Sequence, residues 1–287
     1  MIIVTGANGK LGRAIVDRLL DRVPAARIGV SVRDLEKARG LEERGVRVRH
    51  GDFDDAATHA HAFEGASQVL IVSVDGHGEP AVRQHRMAID VAKAAGARRI
   101  LYTSHMGSSP TSPFAPMIDH AATEAALRES GVAYTSLRNG FYVDSALLML
   151  GDAVTTGELA APEDGPVAWT THPDLAEAAA IALSEQGLDG VTPNLTASEA
   201  VDLDGIAAIA AELADRPIRR VVVPDAAYRA GLAARGLPEP VADMFLGLFL
   251  AARQGAFART DPTLGRLIGR PPMSVRDVLK AAISPAG

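Results

Sequence analysis

Apolar and polar positions along the chain fall into a repeating pattern. Ile2, Ile3 and Val4 form a short β-branched run without helical period, the mark of a strand buried on both faces. Leu11, Ala14, Ile15 and Leu19 then return at helical spacing on one face. The same alternation continues. Residues 27–32 read as a second strand, and Asp34 caps a helix through Glu43 with Leu35, Ala38 and Leu41 turned inward. Residues 46–50 are a third strand, 56–63 a short helix and 68–74 a fourth strand. A long helix over about 81–95 is closed by Gly96, and 99–103 is a fifth strand. After a Ser- and Pro-rich loop at 107–116 comes a helix ending near Ser130, then a sixth strand at 134–137.

Past Leu150 the rhythm changes. Short strands are expected at 157–161 and 167–171. A helix opens at His172 with Pro173 in its first position, and 191–196 can return to the sheet. A helix at 202–214, a strand at 218–223 and mostly helical structure up to Ala282 complete the chain. Strands alternating with helices at this spacing imply an α/β fold, a doubly wound parallel sheet of the Rossmann kind with a smaller, mostly helical C-terminal substrate lobe. Residues 1–150, with return segments about 167–197, form the nucleotide domain; 198–287 plus about 151–166 form the lobe.

Composition narrows the field. The 287 residues are 47% hydrophobic and 22% charged, enough for a sizeable core. With a net charge of −6 and scattered basic residues, nothing forms a nucleic-acid face. There is no cysteine, which excludes a disulfide framework and a thiolate metal site. His59 and His61 would stand about 200° apart on a helix, so they make no metal pair there. No apolar run reaches the roughly 18 residues of a membrane span, and Met1 leads straight into the first strand. A cytoplasmic protein is expected.

Gly6, Gly9 and Gly12 lie between the first strand and its helix. In that context they serve a sharp turn, close backbone approach to a pyrophosphate and tight helix–strand packing. Thr5, Gly6, Asn8, Gly9, Lys10, Leu11 and Gly12 are thus the candidate diphosphate site. Arg33 ends the second strand, where a guanidinium can grip a 2′-phosphate, and Lys37 can add charge. The pair argues for NADPH. Asp34 is the alternative, a ribose acid, though it sits where a helix cap would. Asp52 and Phe53 follow the third strand near the expected adenine edge, with Asp52 equally placed as a turn residue. Ser73, Thr103 and Ser104 end the fourth and fifth strands on the nicotinamide side.

Several stretches carry a family resemblance: residues 4–12, 32–38, 48–52, 102–103, 120–124, 137–139 and 172–176. With them the chain resembles the atypical short-chain dehydrogenases of the NmrA-like group, particularly NADPH-dependent quinone oxidoreductases and triphenylmethane-dye reductases. The resemblance implies a Rossmann fold, NADPH and a substrate pocket between the sheet and the C-terminal lobe. Ordinary short-chain dehydrogenases use a Tyr and, four residues later, a Lys. Here those positions hold Pro116 and His120. Quinone and dye reductases of the group also lack the tyrosine, and a quinone, whose oxyanion is a stable phenolate, has less need of a dedicated acid.

His120, in the lysine position, is the candidate to bond the cofactor ribose or move a proton, and Tyr142 is the only nearby phenol expected to replace the missing acid. His105 and Met106, just after the fifth strand, and Phe141 and Tyr142, just after the sixth, are candidates to meet a flat aromatic or quinone substrate. Asn139 joins the cofactor candidates. The sequence supports two readings: an NADPH-dependent reductase of quinones, dyes or aromatic ketones, or a non-catalytic NADP(H) sensor acting through a partner. A homodimer is left open.

Overall fold

In chain order the computed structural model, which describes residues 1–185 and 188–283, opens with β1 (Ile2–Thr5), α1 (Lys10–Leu20), β2 (Ile28–Val32), α2 (Arg39–Glu42), β3 (Arg47–His50) and α3 (Ala56–Ala62). Then follow β4 (Gln68–Ile71), α4 (Glu79–Ala94), β5 (Arg99–His105), α5 (Ala115–Glu129) and β6 (Ala133–Asn139). Next are β7 (Phe141–Tyr142), α6 (Val143–Leu150), α7 (Ala153–Thr156), β8 (Glu158–Ala161), β9 (Trp169–Thr170), α8 (His172–Ser184) and β10 (Gly190–Val191). The remainder is α9 (Leu203–Ala214), β11 (Arg219–Val222), α10 (Asp225–Ala234), α11 (Glu239–Arg253), α12 (Thr263–Ile268) and α13 (Val275–Ile283).

Seven strands form one parallel sheet in the order β10-β6-β5-β4-β1-β2-β3. The order reverses between β1 and β4, so this is the expected doubly wound α/β sheet. The crevice outside the carboxyl ends of β1 and β4 is its natural ligand site. All four residues of β1 are buried, as its unbroken apolar run requires. One layer of core comprises Ile3, Ile71, Ile100 and Tyr102 from the sheet with Phe63, Ile89 and Leu127 from the α3 end, α4 and α5. On α1, Leu11, Ile15 and Leu19 are buried. That helix packs on α8, whose Ala176, Ala178, Ala179 and Ala180 allow close approach.

The chain divides into two units. The first holds Met1–Pro110, Pro116–Asn139 and His172–Leu195; the second holds Thr111–Ala115, Gly140–Thr171 and the described residues from Thr196 onward. The second unit thus takes in the short Thr111–Ala115 segment and is resumed by the chain at Gly140. It contains two short parallel pairs, β8 with β11 and β7 with β9, among helices. At its centre Phe141 meets Phe257 at 5.0 Å, Trp169 at 5.5 Å and Phe114 at 6.1 Å between ring centroids. Among the described residues no helix is long and apolar enough to cross a membrane.

Several boundaries differ from the sequence reading, each for a local reason. The expected helix after β2 is a 3₁₀ turn, Glu36–Ala38, followed by the single turn α2; Ala38 and Leu41 are buried but Leu35 is 47% exposed. Gly40 and a run of charged residues leave little to hold a longer helix. Strand β4 stops at Ile71 because side-chain hydroxyls replace the ladder beyond it: Val72 N donates to Thr5 Oγ1 (2.9 Å) and Ser73 N to Thr103 Oγ1 (2.8 Å). Ser73 therefore lies in a loop and does not end the strand. Strands β5 and β6 instead run on together to His105 and Asn139, which face each other in register. The helix α6 was not foreseen, since its sequence is apolar nearly all round; Leu148 is 77% exposed.

Candidate functional site

The glycine turn is built by three bonds. Gly6 N donates to Ser31 O at 3.1 Å, Gly9 N to Gly6 O at 2.9 Å and Arg13 N to Gly9 O at 2.9 Å. Gly6 has φ +64°, the left-handed region. A Cβ on Gly12 would stand 2.3 Å from the Gly6 carbonyl oxygen. No side chain caps α1, so its first N–H groups and its positive dipole end remain open to an anion. Asn8 Nδ2 donates to Asp34 O at 2.7 Å, while its buried Oδ1 has no partner. The tight turn and the bare helix end, whose N–H groups are donors, fit a dinucleotide diphosphate; the unsatisfied Asn8 oxygen, an acceptor, instead suits a donor such as a hydroxyl.

A cleft of about 420 Å³ opens beside this turn. Of the sequence candidates it gathers Gly6, Asn8, Gly9, Arg33, Lys37, Asp52, Phe53 and Ser73. Sequence reasoning missed Ser31, Asp54, the 74–76 loop and Gln84, which line it too. Arg33 is exposed and forms no ion pair among the described residues. Lys37 Nζ instead lies 3.5 Å from Asp34 Oδ2, and Asp34 Oδ1 accepts from Lys37 N at 3.3 Å. Asp34 thus occupies the capping role, and its charge offsets that of Lys37. Asp52 accepts from Asp54 N at 3.1 Å, and its own N–H donates to Thr58 Oγ1 at 2.9 Å. Phe53 meets His59 edge-on at 4.8 Å. His59 is fully buried, with Nδ1 3.0 Å from Ser31 Oγ, and burial lowers its pKa to about 4. His61 is exposed.

Other candidates do not line the cleft. Thr5 is buried under its bond to Val72, Leu11 and Gly12 are buried in α1, and Lys10 is exposed at the helix start. Thr103 holds the Ser73 amide, and Ser104 Oγ donates to Glu124 at 2.7 Å. Met106 is buried, its N–H donating to Asn139 O at 2.8 Å, and Asn139 Oδ1 is buried without a partner. Phe141 belongs to the aromatic core of the second unit, and Tyr142 is the N-cap of α6 there.

Around the C-terminal end of β5 lies a buried polar cluster. His105 ends that strand and His120 sits on α5, with rings stacked at 6.0 Å and 26°. Tyr102 Oη lies 2.7 Å from His120 Nδ1. This corrects the expectation that Tyr142 is the only phenol near the missing acid: Tyr102 is bonded to the histidine itself. In β5 it reads as one more core aromatic, which is why sequence reasoning gave it no role. Burial lowers His120 to about 4, with Glu124 opposing, and holds His105 well below its ordinary value, with His120 adding to the effect.

One turn after His120, Glu124 accepts from Ser104 Oγ, Ser136 Oγ (3.0 Å) and Arg138 Nη2 (2.7 Å). Burial pushes its pKa up, but those bonds outweigh it and leave the carboxyl below its usual range. Ser136 is therefore tied into an ion-pair network. His85 accepts from Val74 N at 3.1 Å through Nε2, and its Nδ1 lies 3.0 Å from Thr123 Oγ1; burial lowers its pKa to about 3. The Gly78 N–H donates to Asp119 Oδ2 at 2.6 Å.

A family model described as NAD(P)H-binding matches residues 6–185. The chain is 36% identical over 272 residues to quinone oxidoreductase 2 of Escherichia coli K12, covering 94% of each chain. It is 29% identical over 283 residues to an NAD(P)H azoreductase of Xenophilus azovorans, covering 98% of this chain and 97% of that one. Among solved structures it is similar to the E. coli quinone oxidoreductase 2 complexed with NADPH (TM-score 0.93, 34% identity, 99% of this chain and 100% of that one). It is also similar to the Citrobacter sp. triphenylmethane reductase complexed with NADP(H) (TM-score 0.90, 32% identity, 98% and 100%).

Proposed function

The chain belongs to the NAD(P)H-binding family of NmrA-like atypical short-chain dehydrogenases, and from that premise we propose that it uses NADPH to reduce a quinone or another flat conjugated carbonyl or dye. The observation that carries this reading is the full-length likeness to quinone oxidoreductase 2 and triphenylmethane reductase. When bound, NADPH supplies a hydride. The chain's own residues bind and orient. The open N-terminus of α1 receives the diphosphate, and Arg33 receives the 2′-phosphate. Pro116 has no proton to give where ordinary short-chain dehydrogenases place their tyrosine, which suits an acceptor whose reduced oxygen is a stable phenolate. Catalysis then rests on proximity and orientation.

A single-turnover experiment tests this: the protein loaded with NADPH is mixed with menadione, and nicotinamide absorbance is followed against a protein-free control. Protein-dependent loss supports the reductase. NADPH that binds tightly but is not oxidised by menadione or by triphenylmethane and azo dyes would overturn it in favour of a non-catalytic NADP(H)-binding protein.

A further inference from the structure

We propose that Tyr102 is a positioning residue: its phenol donates to His120 Nδ1 and so keeps the ring proton on Nε2, making His120 a neutral hydrogen-bond donor to the oxygen of the acceptor as that oxygen gains negative charge. The inference rests on the reductase reading above. It assigns Tyr102 a task beyond core packing and gives His120 a role other than proton shuttle or ribose contact.

The geometry carries it. The two groups are 2.7 Å apart, within the range of a well-formed O–H···N bond. A phenol is a strong donor, and the unprotonated nitrogen of an imidazole is a strong acceptor, so the proton between them stays on Tyr102. The nearby His85 shows the opposite arrangement. There a backbone N–H from Val74 claims Nε2, which leaves the proton on Nδ1 facing Thr123. The two histidines therefore hold different tautomers: that of His85 follows from a backbone N–H that can only donate, and that of His120 from the Tyr102 phenol acting as the donor. His120 Nε2 has no hydrogen-bond partner among the described residues and is not sealed from solvent, so it remains available to a ligand.

The surroundings keep this histidine uncharged. Tyr102 and His105 face it from β5, and His85 from α4 lies against Tyr102 at 5.2 Å. Glu124, on the same helix, is the nearest carboxylate, but its oxygens are committed to Ser104, Ser136 and Arg138. Asp119, next in sequence, is taken by the Gly78 amide. Burial without a dedicated counter-ion leaves His120 neutral at physiological pH, in keeping with its lowered pKa of about 4. A neutral N–H preorganised in a half-buried site stabilises charge that develops during reaction without itself transferring a proton. The balance is simple. The hydride brings an electron pair to the acceptor, the acceptor oxygen takes the negative charge and is held by Nε2–H, and solvent water supplies the proton after release.

The test combines spectroscopy and kinetics on the full chain. With ¹⁵N-histidine labelling, His120 is assigned by comparison with His120→Gln. The expected spectrum has the proton on Nε2, unchanged between about pH 6 and 8, and Tyr102→Phe gives a mixture of tautomers. For Tyr102→Phe, kcat with menadione is expected to fall about tenfold while KM for NADPH stays within about twofold. Wild-type kcat is expected to be flat between about pH 5.5 and 8. A wild-type His120 protonated on Nδ1, an unchanged kcat in Tyr102→Phe, or a kcat falling tenfold per pH unit above about 6.5 would each overturn the proposal. Should Tyr102→Phe not fold, the wild-type tautomer and pH profile still decide. Should wild type not reduce menadione or dyes at all, the reductase reading fails, and the tautomer spectrum still reports on the Tyr102–His120 bond.

Discussion

Gly12 and Gly6 are in contact through backbone alone: a Cβ on Gly12 would stand 2.3 Å from the Gly6 carbonyl oxygen and 3.1 Å from the Ala7 Cα. Neither atom can retreat, because Gly6 is pinned by its bond to Ser31 and its carbonyl accepts from Gly9. Gly12→Ala should therefore push the turn away from the start of α1. The expected result is a loss of NADPH affinity of at least about thirtyfold by isothermal calorimetry, with the far-UV spectrum retained. Unchanged affinity would mean that the turn does not receive the diphosphate.

Arg33 and the Asp34–Lys37 pair divide the charge at the cleft edge unequally. Arg33 forms no ion pair among the described residues, whereas Lys37 is partly neutralised by Asp34. Arg33→Ala is expected to weaken NADPH binding by about ten- to a hundredfold and to leave NADH binding nearly unchanged. Lys37→Ala should cost no more than about threefold. Titration of both cofactors against each variant distinguishes a 2′-phosphate contact from a general loss of positive charge.

Stability should fall on mild acidification. His59 and His120 have pKa values lowered to about 4, and His85 to about 3, all by burial, against 6.5 unfolded. Above pH 6.5 both states are neutral and the full stability is present. As pH falls towards 4 the unfolded chain takes up protons that the folded chain refuses. The loss is up to about 1.4 kcal/mol per pH unit for each histidine. Urea midpoints should accordingly be level between about pH 7 and 8 and decline steadily below about 6.5. A midpoint rising on acidification would contradict these burials.

The Glu124–Arg138 pair is a largely buried ionic link of the first unit, the Glu124 side chain being only 5% exposed. Arg138→Met strands a buried carboxylate and should cost about 3 kcal/mol or more in chemical denaturation. Replacing both, with Glu124→Met added, should recover part of that loss. If the single variant is as stable as wild type, the pair is not buried in solution as it is in this fold.

Much of this architecture is legible in the chain because each signal was local. The β-branched run at Ile2, the glycine triplet and the helical stripe on α1 needed no tertiary context, and the sheet followed from their repetition. What escaped depended on neighbours distant in sequence. The early end of β4 is caused by hydroxyls of Thr5 and Thr103, and the lengthening of β5 and β6 by their mutual pairing up to His105 and Asn139. Tyr102 escaped for the same reason. Its apolar strand context hides a hydroxyl aimed at a residue 18 positions away. Glu124 was visible one turn after His120, yet only the fold brings Ser104, Ser136 and Arg138 to it.

Three of the bonds described above, in two links, join the loop at the cleft to the helix that carries His120. Val74 is held by His85, which leans on Thr123, and Gly78 is held by Asp119. Thr123 and Asp119 both belong to α5, so the wall of the cleft and the seat of the histidine are mechanically one piece. A ligand settling against Val74 to Gly76 is therefore expected to shift the His120 resonance, and by thermodynamic reciprocity a change at His120 is expected to alter how tightly the cleft holds that ligand by the same factor. Asp119→Asn, which weakens the clasp while leaving both ends in place, should loosen that coupling.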